Sequence, residues 1–527
     1  MSTLDAAPAP GEPGAAGGLP LPVFDVNTAF GSLPVAGPDC SLAALRRLMA
    51  RNGVAAAVTS SLVGLTYHDA EGNAETRRAC RADSRLHPAA VVMPGVYLSW
   101  RDRLEAALGA GCRVVKLYPE EHGWSPRSRR FEELVAYLAG RPAPPALLLA
   151  SAPPADLADY ARATEGTGVV VVLAGVQYAT LGEALALLQR HGHVRLETSR
   201  AASPGTVALV VQEAGPDRLL FGSGAPARPV AAALNAVLGA PVSPAARAAI
   251  LAGNLCRLLG VPVASLTAAP GAPDAPGYRG YRGPIVDVHT HLGAGTWRFP
   301  IPSAGAPGLR AVLRGAGIGR AIASSIFAIT TDLREGNDRL AVALADAADG
   351  GPELYGYVTV NPQHPDASAA ELARFADHPR MVGVKIHAEY SRTPTSAPAM
   401  RRLFDAVARF GKPVKIHNAG NDWMPALAAL AEAHPALPIV VAHGGGWGAG
   451  PFFRDRPNVH FEFCSSGPEQ GVIAECLRAV GPRRVLFGSD ADLISPLYVL
   501  GAYADAEIPD ADAPLVYAEN AERLYGL

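Results

Sequence analysis

GPDRLLFGSG at 215–224 and GPRRVLFGSD at 481–490 are one phrase written twice, 266 positions apart. Four further pairs recur in the same order at nearly the same offset. VFDVNTAFG at 23–31 matches IVDVHTHLG at 285–293, and EGN at 71–73 matches EGN at 335–337. VVKLY at 114–118 matches GVKIH at 383–387, and NLCRLLG at 254–260 matches NAERLYG at 520–526. Ordered self-similarity of this kind means that one structural unit is repeated. The reading is two homologous domains, 20–262 and 283–527, joined by an Ala/Pro/Gly linker at 263–282 and preceded by a tail at 1–19. Tail and linker lack apolar periodicity and are dense in Pro and Gly, so both are expected to be loose.

In the second domain, short Val- and Ile-rich runs alternate with Ala/Leu/Arg segments of helical spacing. Strands are expected at 285–289, 320–326, 355–360, 382–387, 413–417, 438–443, 459–463 and 485–488. Helices are expected at 334–348, 366–377, 399–410, 423–434, 468–480 and 512–525. Eight strands alternating with helices over this length predict an α/β fold, a (β/α)8 barrel. The first domain has a similar count, so the fold class is two tandem (β/α)8 TIM-type barrels.

Of the 527 residues, 49% are hydrophobic and 18% charged, which excludes a disordered chain. A net charge of −2 gives no basic footing for nucleic acid or an anionic membrane. No apolar run is long enough for a membrane span, and the first 20 residues lack a basic start and an apolar core, so they do not read as a signal peptide. None of the six cysteines forms a C-x-x-C pair. Neither a thiolate zinc site nor a disulfide framework is signalled, and a cytoplasmic location is expected.

In a barrel of this type the chemistry gathers at the C-terminal ends of the strands. His289 and His291 end strand one of the second domain. His387 ends strand four, His417 strand five and His443 strand six, while Asp490 follows strand eight. An H-x-H pair on a strand turns both imidazoles to one face. Imidazoles and a carboxylate converging on one mouth suit a divalent transition metal. Aromatic and basic residues on the same loops, among them Arg298, Tyr390 and Trp447, are candidates to wall a pocket for a flat or cyclic substrate. Trp297, Arg392, Trp423 and Phe452 share those loops. His364, His378, His434 and His460 read as surface, as do His191 and His193 of the first domain.

The constellation, with the ending ENAERLYGL as closing helix, resembles the amidohydrolase superfamily over the whole second domain. The resemblance is to its amidohydrolase-related, aminocarboxymuconate semialdehyde decarboxylase-like branch. It implies that His289, His291, His417 and Asp490 bind one metal per chain, Zn2+ or alternatively Mn2+. It also implies that His443 is the catalytic histidine and that Asp490 takes and returns the proton of a metal-activated water. Other members bind a second metal through a carboxylated strand-four lysine, the place of Lys385.

The first domain carries Asn27, Ala29, Ala174 and Gly224 where the second has His289, His291, His443 and Asp490, and Tyr118 in place of His387. It is therefore a degenerate copy that does not bind metal in the same way. Lys116 and Glu197 remain opposite Lys385 and Glu462, which predicts a buried Lys–Glu ion pair in each half.

The expected function is a metal-dependent hydrolase of a small cyclic or aromatic amide, lactone or ester. Non-oxidative decarboxylation of an aromatic or unsaturated acid is the alternative, and a non-catalytic scaffold is a second one. The expected partner is a small molecule. Packing of one barrel on the other is also expected, and a homo-oligomer is compatible with the reading.

Overall fold

The computed structural model describes residues 21–96, 99–267, 280–295, 301, 305–345 and 351–527. The chain divides into two compact units, 1–279 and 280–527. The tail, most of the linker, Trp297 and Arg298 lie outside the described residues.

Each unit is an eight-stranded parallel barrel with the strands in sequence order. The first contains β1 (Val23–Phe30), β2 (Val54–Ser61), β3 (Leu86–Val91), β4 (Val114–Leu117), β5 (Ala146–Leu149), β6 (Val171–Leu173), β7 (Val194–Glu197) and β8 (Leu219–Leu220). The second contains β9 (Val286–Leu292), β10 (Arg320–Ser325), β11 (Glu353–Val360), β12 (Met381–His387), β13 (Val414–His417), β14 (Ile439–Val441), β15 (Val459–Glu462) and β16 (Val485–Leu486). Closure comes from the residues just past the last strand. Val26 N donates to Phe221 O at 2.9 Å in one unit, and Val288 N to Phe487 O at 3.0 Å in the other. The expected fold class is the observed one.

The helices form because their apolar residues recur on one stripe. In Pro398–Phe410 the buried residues are Met400, Leu403, Phe404 and Val407, spaced i, i+3, i+4, i+7, and Gly411 ends the helix in the left-handed conformation. The closing helix plugs the base of the second barrel. Ala521 and Tyr525 pack with Val286, Val288, Ile322 and Leu486.

Two boundaries differ from the sequence reading. β14 stops at Val441 because His443 to Gly446 all take positive φ, which a strand cannot contain. The expected helix 512–525 is interrupted by a wider turn at Leu515–Glu519 before Asn520–Tyr525 resumes α geometry. Two histidines read as surface are not: His191 and His460 are 2% and 6% exposed. His460 stands two residues before Glu462 on β15, so strand alternation turns it to the same face.

The repeated motifs are staples. Asn73 Nδ2 donates to Val91 O and its Oδ1 accepts from Val91 N, at 2.9 and 2.7 Å. Asn337 makes the same pair of bonds to Thr359, both at 3.0 Å. Asn254 Nδ2 donates to Pro216 O and Leu219 O, and Asn520 Nδ2 to Pro482 O and Val485 O, at 2.7–2.9 Å. Each asparagine ties a helix to the strand that it must meet.

Candidate metal centre

His289 and His291 lie on β9 and face the barrel interior, both buried. His289 Nδ1 is 2.5 Å from Glu462 Oε1. With Nδ1–H donated to a carboxylate, Nε2 carries the lone pair, and it stands 3.6 Å from Asp490 Oδ1. His291 Nδ1 is 3.0 Å from Ser324 Oγ, and its Nε2 is 2.9 Å from Asp490 Oδ1. The ligand atoms of His289, His291 and Asp490 all lie within 4.8 Å of one another. Two imidazole Nε2 atoms and one carboxylate, with a second carboxylate fixing one ring from behind, is the donor arrangement of a metal-binding histidine site.

The local backbone serves this arrangement. Asp490 takes φ 63° and donates its N–H to His289 O at 2.7 Å, which turns the carboxylate inward. A non-glycine residue there is uncommon and marks functional strain. At the preceding glycine, a Cβ on Gly488 would lie 2.8 Å from Glu462 Oε2 and 2.9 Å from His289 Cβ, so the glycine is what lets the glutamate reach its histidine. Asp287, beneath them, accepts from His289 N and Ser489 N at 3.0 Å each and from Ser489 Oγ at 2.5 Å.

His417 and His443 do not join the trio. His443 Nε2 lies 3.0 Å from His417 Nδ1, and its Nδ1 lies 3.0 Å from Cys464 O. His417 Nε2 faces Glu389 Oε2 at 3.2 Å, and its ring stacks on His387 at 4.1 Å. The His443 ring is 5.0 Å from that of His289, so the imidazoles of strands one, four, five and six form one continuous patch.

The expected Lys385–Glu462 pair is corrected. Glu462 pairs instead with Lys415, Nζ to Oε1 3.7 Å, and also accepts from His443 N and Cys464 N. Lys385 Nζ lies 3.2 Å from His289 Nε2. β12 and β13 pair Lys385 with Lys415, and the glutamate goes to the lysine that His289 does not face. Lys116 and Glu197 are not paired either. Lys116 Nζ donates to Thr28 O and lies 3.4 Å from Asn27 Oδ1, while Glu197 accepts from Ser199 and Gly175. The lysine of strand four thus meets the residue at the strand-one ligand position in both halves. Lys415 and Cys464 were missed from the sequence. Lys415 had a signal: it precedes His417 by two on a strand, hence shares its face. Cys464 had the same kind of signal, two residues past Glu462, and its Sγ lies 3.2 Å from His289 Nδ1 and 3.1 Å from His443 Nδ1.

Burial, and then the charge of Lys415, pulls the Lys385 ammonium down to about 7. Burial also pulls His289 and His443 below the usual imidazole range, favouring the neutral rings that ligation needs. For Asp490 burial acts upward, but the His291 hydrogen bond and the charges of His291, His443 and Lys385 outweigh it and hold the carboxyl at about 2.

Tyr390 lines a cleft of about 630 Å³ with Leu292, Ser325, Phe327, Thr330 and Arg339, beginning at the residue after His291. Trp423 stacks on Phe453 at 5.9 Å, and Trp447 packs toward Gly471; neither lines this cleft.

A family model described as an amidohydrolase matches residues 28–261 and again 286–527. The chain belongs to the amidohydrolase family. The two matches of this amidohydrolase correspond to its two barrels. No curated protein matches it. Solved structures similar to it include 5-carboxyvanillate decarboxylase from Sphingomonas paucimobilis, at 16% identity, 46% of this chain, 99% of that chain and TM-score 0.38. A dihydroxybenzoic acid decarboxylase from Polaromonas sp. JS666, with bound manganese and 2-nitroresorcinol, is 16% identical over 46% of this chain and 97% of that chain, TM-score 0.38. A putative 2-pyrone-4,6-dicarboxylic acid hydrolase from Pseudomonas putida is 19% identical over 46% and 97%, TM-score 0.37. Among the described residues, no helix is long and apolar enough to cross a membrane.

Proposed function

We propose that the C-terminal barrel of this amidohydrolase is a metal-dependent hydrolase of a small cyclic or aromatic amide, lactone or ester. His289, His291 and Asp490 hold one divalent cation; His417, the fourth ligand of the sequence pattern, stands outside this trio with its ring nitrogens on His443 and Glu389. Zinc suits nitrogen and carboxylate donors in this number, with manganese the alternative. The observation that carries the reading is the orientation of His289, whose Nδ1 is fixed by buried Glu462 at 2.5 Å and whose Nε2 is turned toward Asp490, 3.6 Å away, and Lys385, 3.2 Å away.

A cation in that position supplies the positive charge that acidifies water and polarises a carbonyl oxygen. The protein's own groups do the rest. Asp490, ionised across the working pH range, accepts the proton from water and returns it to the leaving group. His443 is anchored at Nδ1 by Cys464 O, which directs Nε2 toward His417 and the interior. With Nδ1–H donated to that carbonyl and the ring neutral, Nε2 carries the lone pair and is the atom that takes up a proton. The cleft beside His291 takes the body of the substrate against Phe327 and Tyr390. The N-terminal copy lacks the ligands and is non-catalytic.

The test supplies the metal-loaded chain with a lactone or amide panel in 18O water. Label in the product carboxylate supports hydrolysis. CO2 release without label assigns the same site to decarboxylation, and neither product in metal-replete protein contradicts an enzymatic role.

A further inference from the structure

The mouth of the N-terminal barrel is charged but contains none of the ligands of its twin. Most of its buried charge is satisfied locally. Lys116 is held by Thr28 O and Asn27, Glu197 by Ser199 and Gly175, and Asp25 by Asn27 N, Ser223 N and Ser223 Oγ. The carboxylates of Glu75 and Glu121 are held by Ser61 Oγ and Ser151 Oγ. Arg228 differs. Its Nη1 is buried and has no hydrogen-bond partner among the described residues. A buried guanidinium nitrogen without an acceptor costs free energy that an incoming acceptor recovers.

The place of Arg228 gives that cost a meaning. It lies in the loop between β8 and the helix Val230–Leu238, at the C-terminal face where barrels of this type bind ligands. Gly224 stands where the twin has Asp490, and a Cβ there would lie 2.9 Å from Arg228 Cδ. The arginine stem therefore occupies the space into which the acidic side chain would grow. Its charge acts on buried Glu197, whose oxygens are already taken by Ser199 and Gly175. One corner of the fold thus carries an acid in the half read as cation-binding and a base in the other. A second arginine, Arg200, follows β7 with its Cδ 3.7 Å from where a Gly175 Cβ would be. The loops after the adjacent strands β1 and β2 expose Val35 and Tyr67, at 70% and 73%.

We propose that the N-terminal barrel binds a small organic carboxylate at its mouth, the carboxylate pairing with Arg228. A guanidinium is the group that grips a carboxylate through two parallel N–H donors, and the apolar side chains of the rim select a ligand with an apolar body over an inorganic anion. Converting the mouth from cation to anion recognition makes the silent half a ligand-binding module rather than filler.

The test titrates the full-length, metal-stripped chain with benzoate by calorimetry, and separately with inorganic phosphate. The expected result is one saturable benzoate site per chain, phosphate binding clearly weaker, and Arg228→Gln weakening benzoate about tenfold or more. His289→Ala should leave benzoate binding unchanged, which locates the site away from the C-terminal centre. Arg228→Lys, which keeps the charge but loses the planar fork, should fall between and serves if the glutamine variant does not fold. The proposal is overturned by the absence of saturable benzoate binding, by affinity unchanged in both Arg228 variants, by loss of binding in His289→Ala, or by phosphate binding as tightly as benzoate.

Discussion

At the residue scale the centre depends on Glu462. Its carboxylate orients His289, accepts the His443 N–H and pairs with Lys415. Replacing it with glutamine keeps the shape but removes the charge that raises the basicity of His289. The expected outcome is metal affinity weakened roughly 10- to 100-fold, measured by competition with a chelator, in a chain that still folds. His460 governs a different property. Burial, reinforced by Arg523 and Arg484, pulls its imidazole down to about 4 from an ordinary 6.5. The folded protein therefore keeps His460 neutral while the unfolded chain protonates it below 6.5. Stability is complete above that pH and drains as pH falls toward 4, by about 3 kcal/mol. His460→Gln should flatten this acid limb in denaturant titrations, and an unchanged limb would assign it to other groups. The candidate trio His289, His291 and Asp490 was legible because strand periodicity and strand ends locate it, whereas His417, read as a ligand with them, stands apart. The work of Glu462 was misassigned because a sequence shows which face a side chain takes but not which of two facing lysines it reaches. His460 was misread for a related reason: a polar residue at the start of a strand looks exposed until the barrel closes over it.

At the element scale, the repeated words are read easily as repeats, but what they do appears only in the structure. Asn520 caps two carbonyls, Pro482 O and Val485 O, at the start of β16, as Asn254 does at β8. Asn520→Ala leaves both acceptors without their donor. It should cost about 2–3 kcal/mol, read as a lowered midpoint in urea, and Asn254→Ala should cost a similar amount in the other unit. A change under about 0.5 kcal/mol would show that the repeat marks ancestry without present structural use. The order and number of strands in the second barrel were legible from alternating Val/Ile runs and amphipathic segments. The end of β14 was not, because the run VVAHGGG reads as strand until its positive φ values are seen.

At the scale of the whole molecule, two copies of one barrel have moved apart in chemistry while keeping the same framework. Asp25 and Asp287 accept matching bonds from Ser223 and Ser489, so the scaffold beneath the mouth is unchanged. The groups above it differ, Asn27 and Gly224 standing at the positions equivalent to His289 and Asp490. A cation that binds the folded chain stabilises it by mass action, by about 4 kcal/mol at a thousandfold excess over Kd. Added zinc or manganese should therefore raise the unfolding temperature of the wild-type chain, and His289→Ala should abolish the rise.

The most direct test is anomalous scattering at the zinc or manganese edge from crystals of the metal-loaded chain. The prediction is one peak per chain, within coordination distance of His289 Nε2, His291 Nε2 and Asp490 Oδ1, and none beside Asn27. A peak elsewhere, or one in each barrel, would contradict the account.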